Sequence, residues 1–272
     1  MADNRFITST TPVNITGIEH IDEGFKYEDE YRMIVGAGIY NIAKDLMLKP
    51  YSIISSLVNS VASSAFSKIQ DNIVAIKENY KKIVKIISLI CIVIYATMFV
   101  FADTITAILY APEFSEVATF LRILVFIGII CSINGQASIL QVALGRTDIG
   151  FKWTLIRVVS YLSVILASSY FTIYTVAYSQ LILNLAFFFI YWRLVVYPLS
   201  TIRFSEYIGV FKEALLLSVA LSIPFVIVMH IFNINLITQV VFAIIYLCLY
   251  MLYYWIFRRE FSKELLNLLI HI

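Results

Sequence analysis

Residues 36–70, GAGIYNIAKDLMLKPYSIISSLVNSVASSAFSKIQ, decide how the rest of the chain is read. A helix of this length exceeds the roughly 20 residues needed to cross a hydrocarbon core, leaving room to tilt or to bend at Pro50. It nevertheless carries Lys44, Asp45 and Lys49 near its middle. Charges at that depth cost roughly 2.5 to 3.5 kcal/mol each, so they are expected to face protein or water rather than acyl chains. Asp45 and Lys49 lie four apart on one helical face, acid first, and can pair. Lys44 sits about 100° round the helix from Asp45 and has no partner within the span.

Outward from this stretch, composition sets the class. Hydrophobic residues make up 61% of the chain and charged residues only 14%, far outside the soluble range. The expected fold class is all-α, a polytopic membrane helical bundle. A net charge of +2 is too small to suggest nucleic-acid binding. Cys91, Cys131 and Cys248 lie in apolar runs with no paired spacing and no His nearby, so neither disulfides nor a metal site is indicated. His20, His230 and His271 are scattered and no carboxylate pair recurs, which argues against a membrane enzyme.

Residues 1–33 are polar and acidic and lack the basic-then-apolar order of a signal peptide, so they read as a tail with no cleavable leader. Seven apolar segments follow, at about 34–66, 83–109, 117–144, 153–171, 173–196, 213–232 and 236–257. About seven transmembrane helices are therefore expected. SSYFTIYT and NINLIT read as the turns of two tight helical hairpins. Basic residues cluster after the first span (Lys68, Lys77, Lys81, Lys82, Lys85), the third (Arg146, Lys152), the fifth (Arg193, Arg203, Lys212) and the seventh (Arg258, Arg259, Lys263). The positive-inside rule then puts these connections and the C-terminus in the cytoplasm and the acidic tail outside.

Three stretches form a pattern. Gly38, Tyr40, Ala43 and Pro50 precede a small-residue helix ending at Phe66 and Gln70. Ala102, Ile105, Leu109 and Tyr110 follow, then Leu-Arg-Ile-Leu at 121–124, and Ala-Leu-Gly-Arg at 143–146. In order and spacing this resembles the polysaccharide transporter family of MATE-like proteins, the O-antigen and lipid-linked oligosaccharide flippases. The resemblance covers about 36–148 well and the remaining helices by hydropathy and layout.

The resemblance implies a MATE-like C-terminal bundle, with a five-helix part at 34–197, and two additional helices and a cytoplasmic tail at 198–272. The first span then corresponds to the second helix of that bundle, and the chain reads as the back portion of a larger protein whose N-terminal half is missing. It also implies part of a bacterial inner-membrane flippase that moves a polyprenyl-pyrophosphate-linked glycan by alternating access, with the lipid bilayer and a missing N-terminal half as partners and no cofactor; a truncated chain that is inactive alone is a competing reading. A MATE-type small-molecule or ion exporter is the nearest alternative, and a membrane enzyme of polysaccharide assembly a further one.

On this reading Lys44, Asp45 and Lys49 are substrate-binding candidates, as cavity charges that meet phosphate. A neutralised pair beside a snorkelling lysine is the structural alternative. Asn134, Ser138 and Gln141 fall at i, i+4 and i+7 and make an amide stripe suited to sugar hydroxyls or to interhelical hydrogen bonds, with Gln136 on another face. Gln180 and Asn184 repeat the theme. Ser52, Ser56, Asn59 and Ser63 form a small-residue seam expected to pack against another helix. Asp103 and Arg122 stand near the outer ends of their spans and can either close a gate as an ion pair or each reach interfacial water, the latter being expected. Arg157, about one turn inside the fourth span, reads as a snorkelling anchor.

Overall fold

The structure is a computed structural model that describes residues 21–231 and 234–257. Residues 1–20 of the acidic tail, 232–233 of the second hairpin turn and the 258–272 tail lie outside the described residues, as do the side chains of 21–33, Ser60, Val61, Ser63, Ser64, Glu113 and His230.

The described chain is helical from end to end. In order come α1 (Ile21–Lys68), α2 (Ile73–Val100), the short α3 (Ala102–Leu109), α4 (Glu116–Asn134), α5 (Ala137–Ala143), α6 (Thr147–Ser168), α7 (Ile173–Tyr191), α8 (Tyr197–Ser200), α9 (Phe204–Ile231) and α10 (Leu236–Phe257). Among the described residues six helical stretches are long and apolar enough to cross a membrane, beginning with α2. With α4 and α5 counted as one span, they agree with the last six apolar segments of the sequence. At 48 residues, or about 72 Å, α1 has more than the length to span, but its central charges keep it from being apolar. The chain is a multi-pass membrane protein.

Charges displaced the expected boundaries, because a helix can continue beyond the apolar zone. Residues 21–33, expected in the tail, continue α1. α2 begins ten residues before its apolar run, so Lys77, Lys81, Lys82 and Lys85 are helical rather than in a loop. The Asn72 side chain caps it, accepting from the Ala75 amide at 3.1 Å, and Glu78 pairs with Lys81 at 2.8 Å across one turn. Likewise α6 starts at Thr147 rather than 153.

α1 packs chiefly against α4 and also meets α2, α5 and α7; α9 packs on α2, and α6 on α7. Two groups of buried side chains form the core. One joins α1, α2 and α4 through Ala43, Met47, Cys91, Tyr95, Leu121 and Leu124. The other joins α2, α7, α9 and α10 through Tyr80, Val84, Val195, Tyr207, Tyr246 and Tyr250. α6 exposes Leu155, Val158, Val159, Leu162 and Leu166, an apolar face suited to acyl chains.

Several motif residues have architectural roles. Ala43 and Ala102 are fully buried, and Phe66 is nearly so. Gly145 adopts φ +63°, a conformation that disfavours side chains, where the chain turns from α5 into α6. Gly128 on α4 and Gly135 just after its end lie seven apart. A Cβ at Gly128 would stand 2.5 Å from the Tyr95 ring, and one at Gly135 would run into the Tyr51 hydroxyl, so their bare backbone lets two tyrosines seat against α4.

Candidate functional site

The third span of the sequence is broken at Gly135 and Gln136, between α4 and α5. The break leaves Asn134, Ser138 and Gln141 lining one cavity of about 300 Å³. α1 contributes Tyr51, α6 contributes Gly150, Trp153, Thr154 and Arg157, and α7 contributes Asn184, Phe187 and Tyr191. The amide stripe is thus brought together, and Gln136 points away from it into the protein, where it is 1% exposed.

The cavity wall is held by hydrogen bonds that leave polar groups free to face inward. Tyr207 donates to Asn134 Oδ1 at 3.0 Å, and among the described residues the Asn134 NH2 has no protein acceptor. Tyr161 donates to Asn184 Oδ1 at 2.8 Å, Asn184 donates to the Gln180 carbonyl at 2.8 Å, and Tyr40 donates to Gln180 Oε1 at 2.7 Å. This relay ties α6, α7 and α1 together, so Gln180 and Tyr40 support the site from behind. The Gln141 side chain lies over Gly150, where a Cβ would come within 2.2 Å of its Oε1.

Arg157 is the cation of the site. Sequence reading placed it one turn inside its span, but the earlier start of α6 moves it ten residues, about 15 Å, from the helix end. It therefore lines the cavity instead of anchoring at the interface. No described carboxylate forms an ion pair with it. Tyr51, Cys131 and Tyr191 line the same cavity. A guanidinium among amides and phenols can bind an anion bidentately while the amides hydrogen-bond hydroxyls. The missed signal was the spacing Gly150, Trp153, Thr154, Arg157, which is i, i+3, i+4, i+7 on one helical face.

The α1 charges stand elsewhere. Asp45 and Lys49 are exposed, and no ion pair joins them. Asn41, Asp45, Lys49, Ser52 and Ser56 form one exposed polar stripe turned away from the bundle. For Ser52 and Ser56 this corrects the expectation that the serine seam packs against a helix, whereas Asn59 is half-buried and the Ser63 side chain lies outside the described residues. Ser52 and Ser56 instead bond back to the carbonyls of Lys49 and Ile53, at 2.9 and 2.8 Å. Lys44 is half-buried on the flank of α1, seven residues before the cavity-lining Tyr51 and on the same side of the helix. None of Lys44, Asp45 and Lys49 lines the 300 Å³ cavity.

At the opposite end of the bundle, Arg122 of α4 and Asp103 of α3 form an ion pair. The expectation that each reaches interfacial water separately is corrected. The break at Phe101 turns α3 so that its first-turn carboxylate meets α4. Thr104 additionally bonds Gln239 of α10. Among the described residues no group of three His, Cys, Asp or Glu side chains is placed to hold a metal ion.

Residues 35–119, spanning most of α1, all of α2 and α3 and the start of α4, match the family described as polysaccharide biosynthesis protein. The chain resembles the polysaccharide transporter family. It is 25% identical over 119 residues to the amylovoran biosynthesis protein AmsL of Erwinia amylovora, a match covering 44% of this chain and 31% of that protein. It is 24% identical over 127 residues to the lipopolysaccharide biosynthesis protein WzxC of Escherichia coli K12, covering 46% of this chain and 26% of that protein. The matched stretch thus spans less than a third of either relative. No solved structure matches the chain significantly. The polysaccharide family match includes the polar stripe of α1, whereas Arg157 lies beyond it.

Proposed function

We propose that the chain forms part of a transporter that moves lipid-linked oligosaccharide across the bacterial inner membrane by alternating access. In this reading the cavity around Arg157 receives the charged and hydroxylated head of the substrate. Arg157 holds a phosphate oxygen pair, and Asn134, Ser138 and Gln141 address sugar hydroxyls. At about 300 Å³ the cavity sits at the lower end of the usual range for binding pockets and suits a diphosphate or a single sugar better than a whole oligosaccharide. The exposed stripe of α1, with Asp45 and Lys49, faces a water-filled passage completed by a second helical bundle, because charges at mid-membrane are not stable against lipid. Asp103 and Arg122 close the outer end of that passage, and the basic connections lie in the cytoplasm.

The observation that carries the proposal is a guanidinium without a carboxylate partner among the described residues, set among amides inside the bundle of a chain that resembles polysaccharide biosynthesis proteins. The test uses a host deleted for its own polysaccharide transporter, given this chain together with an amino-terminal bundle from a relative. Arg157→Ala lowers surface polysaccharide about tenfold or more, as expected for loss of a charge-assisted contact, while Arg157→Lys retains part of the output. Membrane levels of each variant are measured alongside. Equal output from Arg157→Ala and the unmodified chain overturns the proposal.

A further inference from the structure

A second basic cavity, of about 280 Å³, opens where α7 gives way to α9, lined by Trp192, Arg193, Tyr197, Arg203 and Phe204. Its shape follows from the backbone. Pro198 cannot donate to the helix, and just before it the chain widens into a π turn over Trp192–Val196, closed by the Tyr197 amide on the Trp192 carbonyl. The chain then reverses through Thr201 at φ 55° into α9. The Trp192 indole locks the reversal by donating to the Ile202 carbonyl at 3.0 Å. Ring centroids of Trp192 and Phe204 lie 4.9 Å apart, and those of Trp192 and Tyr197 5.8 Å apart, which builds an aromatic wall.

Two guanidinium groups face this wall. Arg193 sits 5.6 Å from the centroid of the Tyr197 ring. Neither Arg193 nor Arg203 has an ion-pair partner among the described residues. The nearest acid in sequence, Glu206, is already engaged, pairing with Lys77 at 2.7 Å and accepting from the Arg203 backbone amide at 3.2 Å. Around the cavity, Phe189, Ile190 and Leu194 are exposed apolar residues that suit lipid contact. Aromatic rings, paired arginines and apolar flanks at the end of a membrane helix describe an interfacial site rather than an aqueous one.

We infer that this cavity binds the phosphate of an anionic membrane lipid, with Arg193 and Arg203 on the phosphate oxygens and the aromatic wall at the glycerol level. The site is separate from the Arg157 cavity and does not depend on the transport proposal. The cavity volume fits a headgroup, while the acyl chains lie along the exposed sides of α7 and α9.

The test is native mass spectrometry of the purified full chain in detergent, titrated with phosphatidylglycerol or with zwitterionic phosphatidylethanolamine. The unmodified chain retains phosphatidylglycerol in preference to phosphatidylethanolamine. The double variant Arg193→Gln/Arg203→Gln weakens that binding roughly 30-fold, from two basic groups near the membrane surface. Arg193→Lys/Arg203→Lys, which keeps the charge but not the planar fork, falls between. Added inorganic phosphate does not displace the lipid. Equal retention of the two lipids by the unmodified chain overturns the inference, with no variant needed. Displacement by inorganic phosphate assigns the site to soluble phosphate and overturns the lipid assignment, as does unchanged binding in the double glutamine variant.

Discussion

The hydroxyl of Tyr95 on α2 donates to the main-chain carbonyl of Met47 on α1 at 2.9 Å, three residues before Pro50. A proline inside a helix cannot donate to the carbonyl four residues back and crowds the neighbouring hydrogen bond. The carbonyl that Pro50 leaves without its helical donor is that of Leu46, next to Met47. Tyr95 therefore tethers α2 to the turn of α1 that Pro50 disturbs. Gly128 makes the space for its ring.

Removing that hydroxyl has a defined cost. Tyr95→Phe is expected to lower stability by about 1 kcal/mol, the order found for single hydrogen bonds in membrane helices. The cost shrinks in a Pro50→Ala background, where the ladder can close on its own. Unfolding in mixed micelles by increasing denaturing detergent measures both, and an equal cost in the two backgrounds contradicts a link between this tether and the proline.

The two kinds of glycine separate on substitution. Gly128→Ala forces the Tyr95 ring aside and is expected to cost about 1 to 3 kcal/mol. Gly38→Ala meets nothing within 4 Å and changes stability by no more than about 0.5 kcal/mol, or raises it through better helix propensity. Thermal unfolding midpoints of the two purified variants make the comparison.

The Asp103–Arg122 pair is open to a charge exchange. As an exposed pair it contributes only about 0 to 1 kcal/mol to stability, so neither single neutralisation unfolds the chain. If the pair closes a passage, Asp103→Arg and Arg122→Asp each reduce polysaccharide export, and the double exchange restores it. Failure of the double exchange, with both single variants impaired, removes the pairing from the mechanism.

The charges on α1 are expected to differ in consequence. Lys44, on the cavity-side flank, is half-buried, whereas Asp45 and Lys49 are exposed and unpaired with each other. Lys44→Ala is expected to reduce export several-fold with no loss of membrane insertion. A variant carrying Asp45→Asn together with Lys49→Gln inserts more readily, by roughly 5 to 7 kcal/mol at most on insertion scales, if these residues reach lipid. Unchanged insertion efficiency in a glycosylation-mapping assay supports a protein- or water-facing stripe. A large gain sinks it.

The local sequence settled what depends on neighbours along the chain. Apolar run length marked seven segments, six of which are long, apolar helices among the described residues, and α10 coincides with its segment to the residue at both ends, because the bilayer acts on each segment separately. Charge marked the ends of apolar zones but not of helices, so α2 and α6 both begin earlier than hydropathy indicates. The resemblance motifs were legible too, although Tyr40 proves to be a strut on Gln180 and Gly145 a left-handed turn.

Only the tertiary structure decided which faces meet. Helix rotation placed Arg157 in the cavity with Asn134, Ser138 and Gln141, turned the Ser52 and Ser56 stripe outward, and joined Asp103 to Arg122. The Asp45–Lys49 spacing permitted a pair that does not form. Sequence periodicity gives the residues that share a face, but the neighbour of that face depends on contacts between distant segments. In this chain Gly128 and Gly135 make room for two of those contacts, the seating of Tyr95 and Tyr51 against the third span.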